Sequence, residues 1–208
     1  MSDLRIGVDF DNTIICYDEI FHKVAIENKL IPLELPPNKG YIRNYLREKG
    51  NEDEWTKMQG YVYGIRLKDA KPFPGVIDFF LYCKQKNIFV YIVSHKTLYP
   101  YMGPKYDLHK AAYEWLKIQG FYDSRKIGLS DENIFLEITK SEKIKRINEL
   151  KCTHFIDDLP EFLGETNFPE FTNRILFDPN NQHPKKSVYQ RMTSWEEIKY
   201  NLINVGNS

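Results

Sequence analysis

The segment Ile6-Gly7-Val8-Asp9-Phe10-Asp11-Asn12-Thr13-Ile14 runs from apolar residues straight into two carboxylates one residue apart. Ionised carboxylates at that spacing repel, and they are stable together where a cation or a proton lies between them. Asp is a poor strand former, so an apolar run ending in this pair reads as a buried strand whose C-terminal end opens into a site. A turn is the other use of Asp, Asn and Thr at such a point. Two later runs end in a similar way. The apolar stretch Ile88-Phe89-Val90-Tyr91-Ile92-Val93 stops at Ser94-His95-Lys96, and Cys152 to Ile156 stops at Asp157-Asp158. Lys140 and Lys143 begin a helical stretch just before the last of these. Four carboxylates, Asp9, Asp11, Asp157 and Asp158, converging on one sheet edge need compensation. A hard divalent cation, Mg²⁺, with oxygen ligands, a Lys and a phosphoryl group meets that need best.

The elements that must position these groups follow from apolar periodicity. Ile20, Phe21, Val24 and Ala25 lie at helical spacing between residues 18 and 30. Ile42, Tyr45 and Leu46 repeat the pattern up to Gly50, and Trp55, Met58 and Val62 mark a further helix before Gly64. Lys71-Pro72-Phe73-Pro74-Gly75 then resets the chain, and Val76, Phe79, Phe80 and Cys83 form one face of the next helix. The run 88–93 is continuous and β-branched or aromatic, as expected of a strand buried on both faces in a parallel sheet. After a polar loop, Leu108, Ala111, Ala112, Trp115 and Leu116 predict a helix closed by Gly120. Residues 127–129 and 134–136 are candidate short strands. Thr139-Lys140-Ser141-Glu142 has the form of a capping box, residues 159–164 of a helical turn, 174–177 of a strand, and Ser194-Trp195-Glu196-Glu197 opens a last helix running to about residue 203. This alternation predicts an α/β fold: a doubly wound, Rossmann-like parallel sheet with helices on both faces, whose ligands collect outside the carboxyl ends of the strands. The expected division is an α/β core of residues 1–15 and 72–208, with 16–71 as a small α-helical insertion.

In its motifs the chain resembles the haloacid dehalogenase-like (HAD) superfamily of phosphohydrolases. Asp9-Phe10-Asp11-Asn12-Thr13 matches the first motif, Ser94 the second, Lys140 or Lys143 the third and Phe155-Ile156-Asp157-Asp158 the fourth, in the family's order. The resemblance implies that Asp9 is the nucleophile, forming an aspartyl-phosphate, and that Asp11 is the general acid and base. Ser94 would bind the transferring phosphoryl group, and one of the two lysines would neutralise its charge. Mg²⁺ would be held by Asp9, the backbone carbonyl of Asp11, Asp157 and Asp158. Thr13, His95, Lys96 and Arg43 are candidates for holding the substrate. The insertion between the first two motifs corresponds to the family's helical cap, whose small size suits a small phosphorylated metabolite: a sugar phosphate, a nucleotide or a similar phosphomonoester. An Asp at position 11 favours phosphatase over dehalogenase chemistry, because ester cleavage needs an acid for the leaving oxygen. A catalytically silent binding or regulatory protein of the same fold is the alternative reading.

Composition sets the outer bounds. The 208 residues suffice for one substantial core with a small accessory module, and 29 basic residues balance 29 acidic ones, so no global field favours nucleic acid. No segment approaches membrane-spanning length and no signal-like apolar region leads the chain, so the expected location is the cytoplasm. Cys16, Cys83 and Cys152 are odd in number, dispersed and set among apolar residues, which suits reduced packing thiols.

Overall fold

The computed structural model describes residues 4–205, with side chains to residue 202; the ends of the expected core, 1–3 and 206–208, lie outside the described residues. In chain order the elements are β1 (Arg5–Val8), β2 (Ile15–Cys16), α1 (Asp18–Glu27), α2 (Lys39–Glu48), α3 (Glu52–Gly64), β3 (Lys71–Pro72), α4 (Val76–Gln85), β4 (Phe89–His95), α5 (Leu108–Ile118), β5 (Ile134–Glu137), α6 (Lys140–Glu149), β6 (His154–Asp157), α7 (Pro160–Leu163), β7 (Asn173–Phe177), β8 (Gln190–Met192) and α8 (Trp195–Val205). They divide into two compact units. One comprises residues 1–14, 72–95 and 120–208, the other residues 15–71 and 96–119.

The first is an α/β unit built on a six-stranded sheet of order β5-β4-β1-β6-β7-β8, with each adjacent pair parallel. β1 is central, between β4 and β6, as its uninterrupted apolar character requires. Its pleat sends alternate residues to opposite faces. On one face Tyr91, Val93, Phe155 and Leu176 pack with Ile144 and Ile147 of α6 and Phe162 and Leu163 of α7. On the other, the Trp195 ring of α8 lies 4.9 Å from Phe79 of α4 and 5.7 Å from Phe177 of β7. Helices therefore cover both faces, and the expected Rossmann-like α/β fold is the fold observed.

Gly7 explains how the bulky aromatic core fits against the central strand. A Cβ there would stand 2.5 Å from Cδ2 of Phe155 and 3.1 Å from Sγ of Cys152, so only glycine leaves room for that ring against β1. Residues 127–129 are not a strand, against expectation. Gly128 has a φ of +74°, which breaks the extended path, and the Leu129 N–H instead folds back to Phe121 O. The edge strand β8 was not anticipated, because Gln-Arg-Met carries no apolar alternation.

The second unit is helical. α1, α2 and α3 pack around Phe21 and Trp55, whose rings are 5.0 Å apart, with Tyr17 and Tyr63 edge-on to Phe21. Residues 96–119, assigned to the core in the sequence reading, fall in this unit instead. Two features account for it. The indole N–H of Trp115 on α5 donates to Ala70 O at 2.9 Å, satisfying the polar edge of a fully buried ring. Gly60 and Gly64, one turn apart on α3, also leave room for Pro100 and Tyr106: a Cβ at those positions would meet them at 2.7 Å and 2.5 Å. Among the described residues no helix is long and apolar enough to cross a membrane.

Candidate active site

Three of the acidic residues singled out in the sequence, Asp9, Asp157 and Asp158, meet at the carboxyl end of the central strands. β1 ends at Val8, and the Asp9 N–H continues its ladder to Ile156 O at 2.9 Å. The chain then turns: Asn12 takes a left-handed φ of +57°, and Ile14 N–H closes on Phe10 O. Asp157 is the last residue of β6, and its Oδ1 accepts from the Leu159 N–H at 2.9 Å, which fixes the carboxylate. Carboxylate oxygens of Asp9, Asp157 and Asp158 lie within 4.8 Å of one another, a spacing that one metal ion can span. Asp9 is 5% exposed and Asp157 fully buried, so these charges have no bulk water to spread into.

Lys143 supplies the compensation. Its Nζ donates to Asp9 Oδ1 and to Asp157 Oδ2, both at 2.6 Å, and lies 4.2 Å from the Phe162 ring centroid. The helix places it there. Thr139 and Glu142 form the expected capping box, which starts α6 at Lys140 and fixes its turn, and Lys143 then shares a buried face with Ile144 and Ile147. Lys140 is exposed. Of the two lysines left open by the sequence, the buried bridge between carboxylates belongs to Lys143.

Asp9 and Asp157 share one ammonium, and the crowding shows in the acid–base behaviour. Burial, the strongest influence, pushes Asp9 up to about 7; the Lys143 ammonium opposes this, while Asp157 and Asp11 add to it. Burial alone would depress Lys143, but Asp157 and Asp9 outweigh it and hold the ammonium above the ordinary lysine range.

Ser94 ends its apolar run as expected and is buried, as is Thr13, and neither hydroxyl has a hydrogen-bond partner among the described residues. An unsatisfied buried hydroxyl costs about 1–3 kcal/mol, and such groups are uncommon outside sites that receive a ligand. The Thr13 carbonyl is engaged, accepting from Trp195 Nε1 at 3.2 Å. His95, next to Ser94, is half-buried. Desolvation lowers its pKa, a hydrogen bond with the Ile138 backbone opposes that, and Lys143 and Lys140 reinforce it, so the neutral ring is favoured. Lys96 and Arg43 belong to the helical unit. Lys96 is buried with its Nζ 5.1 Å from the Tyr63 ring centroid, whereas Arg43 is exposed and donates to the neighbouring Asn44. Cys83 and Cys152 are pushed up to about 12 by burial and Cys16 is also raised by it, so none is poised as a nucleophile.

No protein-family model matches the sequence, and no curated protein matches it. Solved structures do. A HAD family hydrolase from Deinococcus radiodurans R1, with bound phosphate and sodium, superposes with a TM-score of 0.62 at 12% identity, over 99% of this chain and 98% of that one. The HAD-hydrolase YfnB from Bacillus subtilis, bound to magnesium, gives 0.58 at 17% identity over 98% and 100%. A dehalogenase gives 0.55 at 15% identity over 97% and 98%. At such identities the likeness speaks to fold alone, and the chain has the HAD-like fold.

Proposed function

We propose that this protein is a Mg²⁺-dependent phosphohydrolase that cleaves a small phosphorylated metabolite, a phosphomonoester, through an aspartyl-phosphate on Asp9. The observation that carries this reading is Lys143 Nζ held 2.6 Å from both Asp9 and Asp157, beside a third carboxylate, Asp158. One ammonium balances only part of that charge, and the remaining oxygens are hard donors, the set that suits Mg²⁺. Asp9, Asp157 and Asp158 would hold the ion, with Asp11 contributing its backbone carbonyl. When bound, the ion supplies positive charge to the phosphoryl oxygens.

The chain's own residues account for the rest. An oxygen of Asp9 attacks phosphorus, the P–O bond to the leaving group breaks with its electron pair on the ester oxygen, and Asp11, protonated, gives that oxygen its proton. Asp11, now ionised, takes a proton from water as the water oxygen attacks phosphorus, and the P–O bond to Asp9 breaks, returning the carboxylate. Lys143 offsets charge on Asp9 throughout, and the Ser94 and Thr13 hydroxyls find phosphoryl oxygens as acceptors. His95 follows Ser94 in the chain and would contact the same group. Among related folds that also carry out dehalogenation, Asp11 distinguishes this reading, since release of a halide needs no acid. A phosphate or metal recorded in the Deinococcus and Bacillus structures is compatible with it. Location in the cytoplasm and a small-molecule rather than nucleic-acid partner complete the proposal.

The test is hydrolysis of an aryl phosphate by the purified protein with Mg²⁺, with chelator, and as Asp9→Asn. Turnover that chelation abolishes, Mg²⁺ restores, and Asp9→Asn reduces by about a thousandfold or more is the expected result. Wild-type rates in Asp9→Asn would sink the nucleophile assignment, and no turnover of any ester would leave the silent binding protein as the better reading.

A further inference from the structure

The turn that carries Asp11 is held from outside at two consecutive carbonyls. The indole N–H of Trp195, the first residue of α8, donates to Thr13 O at 3.2 Å, and the Phe73 N–H donates to Ile14 O at 2.9 Å. Both rings pack on Phe177, the last residue of β7, with centroids 5.7 Å and 4.9 Å away. Trp195 is 1% exposed, and a buried indole N–H needs an acceptor inside the protein. Here that acceptor lies 182 residues away in sequence, two residues past Asp11.

The start of α8 is itself fixed. Ser194 Oγ accepts from the Glu197 N–H at 3.1 Å, and Glu197 Oε2 accepts from the Thr193 N–H at 2.8 Å, so the residue that reaches the turn sits in a capped first turn. The other end of the turn is tied by the Asp9 N–H to Ile156 O. Between the two anchors lie Asp11 and Asn12, and Asn12 has a left-handed φ of +57°, a conformation that persists where its surroundings hold it. The Asp11 carboxylate is not among the three that cluster, so its placement depends on the backbone of this turn. The bond from Trp195 engages only the Thr13 carbonyl, and the buried Thr13 hydroxyl keeps no partner among the described residues.

We propose that Trp195 is a positioning residue for proton transfer by Asp11: its indole N–H fixes the Thr13 carbonyl, and with it the turn that aims Asp11 at the leaving oxygen. This rests on the phosphohydrolase reading for the reaction itself. The role of Trp195 is a separate claim, because the ring could fill the core equally well with its N–H spent elsewhere.

The experiment compares two esters of similar shape. A nitrophenolate leaves without a proton, whereas a benzyl alkoxide needs one, so kcat/KM for benzyl phosphate reports on the acid and kcat/KM for 4-nitrophenyl phosphate does not. Both are measured with Mg²⁺ for the wild type, for Trp195→Phe, which keeps a ring and removes the N–H, and for Asp11→Asn as reference. In Trp195→Phe a loss of about tenfold or more is expected for benzyl phosphate and of about threefold or less for 4-nitrophenyl phosphate, the same bias as in Asp11→Asn. Equal losses on the two esters, or no loss in the folded variant, would overturn the role. Should Trp195→Phe fail to fold, benzothienylalanine introduced at position 195 keeps the bicyclic shape without the donor and must show the same bias. A wild type that hydrolyses neither ester overturns the phosphohydrolase reading and this role with it; a wild type that hydrolyses both, with no bias in the variant, overturns only the role of Trp195.

Discussion

Lys143 Nζ stands 2.6 Å from Asp9 Oδ1 across 134 residues of sequence, a contact between the last turn-off of the central strand and the second turn of α6. The ammonium is buried and shared with Asp157, so removing Lys143 strands two carboxylates at once. In the metal-free protein, Lys143→Met is expected to lower unfolding free energy by about 3–5 kcal/mol, the usual cost of leaving a buried charge unpaired. Urea denaturation checks it, and the Asp9→Asn, Lys143→Met double variant should recover part of the loss. Additive effects in the double variant would show that the two side chains do not depend on each other.

Mg²⁺ affinity should depend on pH. With Asp9 pushed up to about 7, the apoprotein carries a proton there below that pH, and an ion entering the carboxylates must displace it. Below pH 7 the ion should bind up to about tenfold more weakly for each unit of acidification, and above about pH 8 the dependence should flatten. Titrations with Mg²⁺ at a series of pH values test this, and a flat profile between pH 6 and 7 would contradict it.

Gly7→Ala should be costly although it adds one methyl group. The new Cβ would be driven against Phe155 and Cys152 in a close-packed face, and overpacking of this kind costs about 1–3 kcal/mol. Thermal or urea unfolding measures the loss. Because β1 delivers Asp9, activity should fall as well. A variant as stable and active as the wild type would mean that the strand accommodates the clash.

Stability should also fall on mild acidification, in part through His154. Its ring is buried on β6, between Thr153 Oγ1 at 3.1 Å and Asn173 Nδ2 at 3.3 Å, and desolvation lowers its pKa below the ordinary 6.5. The unfolded chain then binds the proton more readily than the folded one, so the contribution of His154 is intact above pH 6.5 and is lost as pH falls through the lowered value. His154→Gln should flatten the decline in unfolding free energy between pH 7 and pH 5, and an unchanged slope would assign the decline elsewhere.

Much of the α/β unit was legible because its signals are local. The continuous apolar run before Ser94, the capping box before Lys143 and the carboxylates ending β1 and β6 each declare an element or its end. Lys140 and Lys143, three residues apart on one helix, were indistinguishable until the packing of Ile144 and Ile147 turned Lys143 toward the sheet and left Lys140 in solvent. The grouping of residues 96–119 with the helical unit was not legible. It rests on Gly60 and Gly64 receiving Pro100 and Tyr106, a complementarity between distant segments, and apolar periodicity carries no record of which surface a helix will meet.

Asp9 is expected to become covalently phosphorylated during turnover. The direct measurement is acid quenching of the Mg²⁺-loaded protein within one turnover of an aryl phosphate labelled at phosphorus, followed by peptide mapping. Label on the peptide containing Asp9, released by hydroxylamine, enriched in Asp11→Asn and absent in Asp9→Asn, is the result expected. Turnover of the ester with no label on the protein, or label that persists in Asp9→Asn, would contradict the account.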